Sequence, residues 1–148
     1  MSEAPSDAVL APGGIVGAIV VAAGSSIRMG GIDKAFAVLG GHPVLWWSLA
    51  LMDAASDVDE MAVVVRADQL ALAQALCDST GVRKPRSIVA GGARRQDSVA
   101  AGLRALPGAA WLVVHDGARP FATVDLVQRC IDAARTTGAA IVAAPITD

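Results

Sequence analysis

The chain has 148 residues, 54% of them hydrophobic and only 3% aromatic, which suits one domain with a core of Ala, Val, Leu and Ile that buries roughly two-thirds of its unfolded surface. A formal net charge of −2 argues against a general polyanion binder, so nucleic acid is not an expected partner. The two cysteines, Cys77 and Cys130, lack the close spacing of a zinc site and fall on apolar helical stripes, as core thiols of a reducing compartment do.

Residues 1–14 carry Pro, Gly and acids but no Lys or Arg. They lack the basic start of a secretory signal and read as a flexible terminus ahead of one domain over residues 15–148. The apolar run from Ile15 to Ala23 is far short of the ~20 residues that cross a bilayer. A cytoplasmic protein without membrane contact is the expectation. Along the rest of the chain, short apolar runs at 17–23, 61–66, 87–90, 111–115 and 139–144 predict strands. Most are continuously apolar, as strands covered on both faces are. Helical spacing occupies 43–55, 68–79, 97–106 and 124–136, with Val99, Leu103 and Leu106 on one face of the third helix. Thr123 is placed to cap the fourth helix and Gly138 to stop it. The alternation predicts an α/β fold, an open and mainly parallel sheet with helices on both faces. Ligands of such sheets sit in the loops beyond the carboxyl ends of the strands.

Three of those loops carry unusual residues. After the first strand, Gly24, Gly30 and Gly31 keep the backbone thin while Arg28 and Lys34 bring positive charge, the makings of a triphosphate cradle. Neither a Walker A nor a G-x-G-x-x-G pattern is present, and a solvated strand-to-helix loop is the plain alternative. After the third strand, Gly91 and Gly92 precede Arg94, Arg95, Asp97 and Ser98. Small residues there let a flat base lie on backbone, and Ser98 in the first helical turn can hydrogen-bond it. A simple helix cap would explain Asp97 but not the paired glycines and arginines. After the fourth strand, Asp116 stands where a carboxylate can hold Mg²⁺ beside phosphates, Gly117 allows close approach, and Arg119 is a candidate clamp for a second, phosphorylated substrate. A turn closed by Pro120 is the structural alternative. His115 reads as a structural side chain, Met29 and Phe36 as packing residues, and Trp46 and Trp47, about 100° apart on a helix, as core plus a subunit or loop contact.

Taken together, these loops resemble the 2-C-methyl-D-erythritol 4-phosphate cytidylyltransferase family. Gly91, Gly92, Arg95, Ser98, Val99, Gly102 and Leu103 meet one family pattern, residues 115–121 (HDGARPF) a second, and Pro145, Thr147 and Asp148 a third. The resemblance implies a Rossmann-like, glycosyltransferase-A-type nucleotidyltransferase sheet. It implies transfer of a cytidylyl group from CTP to methylerythritol phosphate with release of pyrophosphate. By matching position, Arg28 and Lys34 would stabilise charge on the α-phosphate, and Ala22, Ala23 and Gly24 would contact the nucleotide. Gly92, Ala93 and Ser98 would surround cytosine, Asp116 would hold Mg²⁺, Gly117 would line the ribose and Arg119 would meet the acceptor. Family members continue beyond the position of Asp148 with further acceptor contacts and a dimer arm. The chain is therefore expected to be the N-terminal portion of a homodimeric enzyme, to bind CTP, and to transfer poorly alone.

The sequence departs from the family at Ser26, Asp33, Ala35 and Ala93, where glycine, proline, glutamine and an acid are usual. The spelling of residues 26–35 is closer to molybdenum-cofactor nucleotidyltransferases. Guanylyl or cytidylyl transfer to a molybdopterin is thus the second enzymatic reading, and a non-catalytic nucleotide-binding fragment the alternative of another class.

Overall fold

The computed structural model describes residues 13–24, 33–84 and 86–145. The expected flexible terminus (its first twelve residues), Arg28 and Met29 lie outside the described residues, as do the last three positions of the chain. In chain order the elements are β1 (Val16–Val21), β2 (Val38–Leu39), β3 (His42–Pro43), α1 (Val44–Ala54), β4 (Glu60–Val65), α2 (Leu70–Thr80), β5 (Arg86–Ala90), α3 (Arg95–Arg104), β6 (Trp111–Asp116) and α4 (Val124–Thr137). A short 3-10 turn, Ala67–Gln69, leads into α2.

Four strands form a parallel sheet in the order β5-β4-β1-β6. β1 is wholly buried, and its side chains divide by the period of two. Val16, Ala18 and Val20 face one side with Met61, Val63 and Val65 of β4, where α1, α2 and α4 bring Leu45, Leu49, Met52, Ala73, Leu76, Val127 and Ile131. Ile19 and Val21 face the other side with Ala62, Val64 and Leu106, under α3. The continuous apolar runs of β1 and β4 are thus the sign of strands covered on both faces, whereas Leu112 and Val114 of β6 are exposed on one face.

Helix ends follow their chemistry. The Thr123 hydroxyl accepts from the Leu126 N–H at 3.2 Å, and Gly138 closes α4 in the left-handed conformation with φ of 88°. α3 begins at Arg95, earlier than its periodicity predicts. The Asp97 carboxylate accepts from the Arg94 N–H at 3.1 Å and so ties down an orphan donor of the first turn. Leu103 is exposed, contrary to expectation. Gly102 is the α3 residue pressed on the sheet, and a Cβ there would lie 2.4 Å from Ile19 Cγ2.

One predicted strand does not form, and one small pair of strands was not predicted. Residues 139–144 are not a strand: they pair with no other segment among the described residues, and Ile141 and Val142 are exposed. An apolar run becomes a strand only where an edge accepts its N–H and C=O groups. The small antiparallel pair of β2 and β3 has no counterpart in the sequence reading. Trp46 and Trp47 pack around it, with the Trp46 ring stacked on His42 at 4.0 Å and the Trp47 indole N–H donating to the Leu39 carbonyl at 2.9 Å. Cys77 is buried as expected, and burial raises its thiol pKa above the usual range; Cys130 is half-buried.

Candidate active site

The carboxyl ends of β1, β4, β5 and β6 converge on one cleft of about 720 Å³. β1 contributes Ala22, Ala23 and Gly24, and the turn after the undescribed segment contributes Asp33, Lys34 and Ala35. From β4 come Arg66 and Ala67, from β5 Gly91, Gly92 and Ala93, from the start of α3 Arg95 and Ser98, and from β6 Asp116 and Ala118. The site expected from the sequence is therefore largely assembled by the parallel sheet.

Two of its loops are locked together. A Cβ at Gly91 would come 2.4 Å from the Ala23 Cβ and 2.6 Å from the Ser98 hydroxyl, so only glycine lets the second loop lie against the first. Ser98 is 2% exposed. Its hydroxyl accepts from the Gly92 N–H at 3.2 Å and donates to the Arg94 carbonyl at 3.4 Å, which holds the glycine loop over the start of α3. The positive end of that ten-residue helix adds to the attraction of the cleft for an anion.

Charge in the cleft is distributed unevenly. Arg94 is engaged by Asp97 through Nε at 3.0 Å and Nη2 at 2.9 Å, which holds that carboxyl below its ordinary pKa. Arg66 grips Asp68 with Nε and Nη2 at 3.0 and 2.9 Å and reaches Asp33 with Nη1 at 3.1 Å. Asp116 accepts from the Ala118 N–H at 3.1 Å, and Arg95 and Arg119 each stand 3.8 Å from its carboxylate.

Arg119 and Gly117 do not line this cleft. Arg119 faces a second, more apolar cleft between β6, α4 and the 138–142 segment, which shares Arg95, Asp116 and Ala118 with the first. Gly117 is buried behind Asp116, where a Cβ would lie 3.0 Å from Ala22 Cβ and 3.1 Å from Leu45 Cδ1. Its small size suits this close packing against the end of β1 and against α1. His115 is half-buried, with an Nε2 that has no hydrogen-bond partner among the described residues. Burial pushes the imidazole below its ordinary pKa, against the pull of the Arg119 backbone and Asp116. Asp33 and Arg66 were missed as cleft residues by the sequence reading. They meet where the turn before β2 folds against the end of β4, a contact across 33 positions that no local pattern records.

Among the described residues no group of three or more His, Cys, Asp or Glu could hold a metal. A lone carboxylate such as Asp116, 34% exposed at the cleft, does fit Mg²⁺, which keeps its waters and takes one or two carboxylates together with substrate phosphates.

A parallel sheet flanked by helices, with a cleft at the carboxyl ends of its strands, makes this a Rossmann-like α/β domain, a fold whose ligands sit at that end of the sheet. The chain belongs to the 2-C-methyl-D-erythritol 4-phosphate cytidylyltransferase (IspD) family, whose model matches residues 16–148. It is 42% identical over 133 residues to the cytidylyltransferase of that name from Dehalococcoides mccartyi, covering 90% of this chain and 59% of the relative. It is equally identical, over 133 residues, to a bifunctional enzyme IspD/IspF from an Anaeromyxobacter species, covering 90% of this chain and 34% of that one. Among solved structures, 4-diphosphocytidyl-2C-methyl-D-erythritol synthase from Anaerococcus prevotii superposes with a TM-score of 0.73 at 30% identity, over 88% of this chain and 54% of the other. The chain thus spans a little over half the length of the single-function relatives it matches.

Proposed function

We propose that this chain carries the nucleotide half of a cytidylyltransferase, which joins CTP to 2-C-methyl-D-erythritol 4-phosphate and releases pyrophosphate. Family membership supports the reaction. The observation that carries the reading is the convergence of Ala22, Ala23, Gly24, Lys34, Gly92, Ala93, Ser98 and Asp116 on a single cleft. In this reading the cytosine lies on the Gly92–Ala93 backbone beside Ser98, and the triphosphate runs toward Lys34 and the loop after β1, where Arg28 would join it. A phosphate oxygen of the acceptor attacks the α-phosphorus in line. The new P–O bond forms as the bond to the β-phosphate oxygen breaks, and pyrophosphate leaves with the electron pair. Lys34 stabilises the charge that builds on the α-phosphate, without covalent participation.

Asp116 would hold Mg²⁺, which when bound screens the phosphates and orients the leaving group. Asp116 also stands where the two clefts meet, so an acceptor in the second cleft with its phosphate on Arg119 would lie beside the nucleotide. Holding two reactants at that distance is worth several kcal/mol of barrier. The cytoplasmic setting and the homodimer implied for the longer relatives belong to the same reading; among the described residues no helix is long and apolar enough to cross a membrane.

Calorimetry with CTP·Mg²⁺ and GTP·Mg²⁺, paired with a pyrophosphate-release assay containing methylerythritol phosphate, tests it. CTP is expected to bind the more tightly, as membership of a cytidylyltransferase family implies. GTP binding as tightly as CTP would favour the molybdopterin reading. Nucleotide binding without any pyrophosphate release, even when the chain is joined to the remaining length of a relative, would favour the non-catalytic one.

A further inference from the structure

Lys34 sits in a turn fastened at several points, and its neighbour Asp33 supplies most of them. The Asp33 side chain is only 16% exposed. One carboxylate oxygen accepts from the Ala35 N–H at 3.0 Å; the other accepts from Arg66 Nη1 at 3.1 Å and from the side-chain amide of Gln69. The Asp33 carbonyl accepts from the Phe36 and Ala37 N–H groups at 3.1 and 3.0 Å. On the far side of Lys34, the carbonyl of the buried Ala35 accepts from the Leu45 N–H of α1 at 2.7 Å. The lysine is thus slung between α1 and the end of β4, and the Asp33 carboxylate is what ties the turn to β4.

Arg66 lines the cleft, yet it is committed to Asp68 through two nitrogens. It therefore serves as a strut: loss of Asp33 would leave it paired and would not release a new cation onto the phosphates. Gln69 is 93% buried, at 7% exposure, and its amide anchors the same carboxylate from below. Nothing in this arrangement requires Asp33 to touch a ligand.

We propose that Asp33, held by Arg66 and Gln69, is a positioning residue that presents the Lys34 ammonium to the phosphates of the bound nucleotide. The proposal rests on the reading that Lys34 acts on those phosphates. A shift of about 1 Å in a group that must meet developing charge can cost up to 10²-fold in rate, and a turn freed from β4 has that much play.

The test is a double-mutant cycle. Asp33→Ala and Asp33→Asn are made alone and with Lys34→Ala, and each protein is measured for kcat of pyrophosphate release, for affinity toward CTP·Mg²⁺ by calorimetry, and for Tm. With Lys34 present, Asp33→Ala is expected to lower kcat about tenfold and CTP affinity a few-fold. Asp33→Asn, which keeps an acceptor for the Ala35 N–H, recovers part of both. With Lys34 already replaced, Asp33→Ala adds no further loss in either quantity. Where turnover by this chain falls below detection, the cycle is read from affinity alone. Additive losses in the double variant, or wild-type behaviour of Asp33→Ala, overturn the positioning role while leaving Lys34 in place. Wild-type affinity and turnover in Lys34→Ala overturn the underlying reading, and the positioning role with it.

Discussion

Replacing Gly102 by alanine sets two effects of opposite sign against each other. Gly102 lies inside α3, and an interior Gly→Ala change there gains about 1 kcal/mol of helix propensity. The new Cβ, however, would stand 2.4 Å from Ile19 Cγ2 and 3.2 Å from both Ile19 Cγ1 and Val64 Cγ2. Ile19 and Val64 are fully buried in the two central strands and have nowhere to move. The helix must lift by about 1 Å to restore van der Waals contact, and overpacking of that kind costs about 1–3 kcal/mol. A contact as close as 2.4 Å puts the cost in the upper part of that range, about 2–3 kcal/mol, so packing outweighs propensity, for a net loss of about 1–2 kcal/mol and a Tm lower by roughly 2–8 °C at this chain length. α3 also carries Ser98 one turn earlier, so its contact with the Gly92 N–H loosens and CTP affinity falls with stability. Thermal and urea unfolding measure the first effect and calorimetry the second. A Gly102→Ala protein as stable as wild type or more so would refute the reasoning. So would strict additivity with Ile19→Ala, since removing Cγ2 should turn the Gly102 change neutral or stabilising.

Lys34→Ala, made in a protein extended to the length of the relatives, is expected to lower turnover by about 10²–10³, as loss of a preorganised charge-stabilising donor does. Its Tm should stay at the wild-type value, because the exposed side chain contributes nothing to the core; a wild-type rate would remove Lys34 from the mechanism. Asp116→Asn removes a charge but keeps the shape, and should weaken nucleotide binding in the presence of Mg²⁺ far more than in its absence. Equal losses in calorimetry with and without the metal would return Asp116 to its turn with Ala118.

The legible part of the fold was the part written in runs and periods. β1, β4, β5 and β6 announce themselves as apolar runs, and Thr123 and Gly138 mark the ends of α4 by chemistry that acts within a few residues. What depended on partners distant in sequence was harder. Residues 139–144 have the composition of a strand but find no edge, and the two-residue strands β2 and β3 are too short to show a period. The candidate site divides in the same way. Gly91, Gly92, Ser98 and Asp116 follow strands whose ends can be read, so their convergence was foreseeable. The link between Asp33 and Arg66 joins the turn before β2 to the end of β4 and has no local signature. Gly117 has a small side chain for a reason visible only in three dimensions, the proximity of Ala22 and Leu45.

The register of β1 has a kinetic consequence. Its partners on one side come from β4, but on the other Val16 pairs with Trp111 and Val21 with Asp116, residues 95 positions apart (111 − 16 and 116 − 21). Such distant pairings close late and slowly. Until β6 docks, the central strand has one bare flank and the cleft has no Asp116 wall. A chain caught at that stage offers CTP little to hold. Bound nucleotide should therefore slow unfolding in proportion to its affinity while leaving the refolding rate unchanged. In stopped-flow measurements, faster refolding with CTP present would show instead that the cleft closes before the transition state.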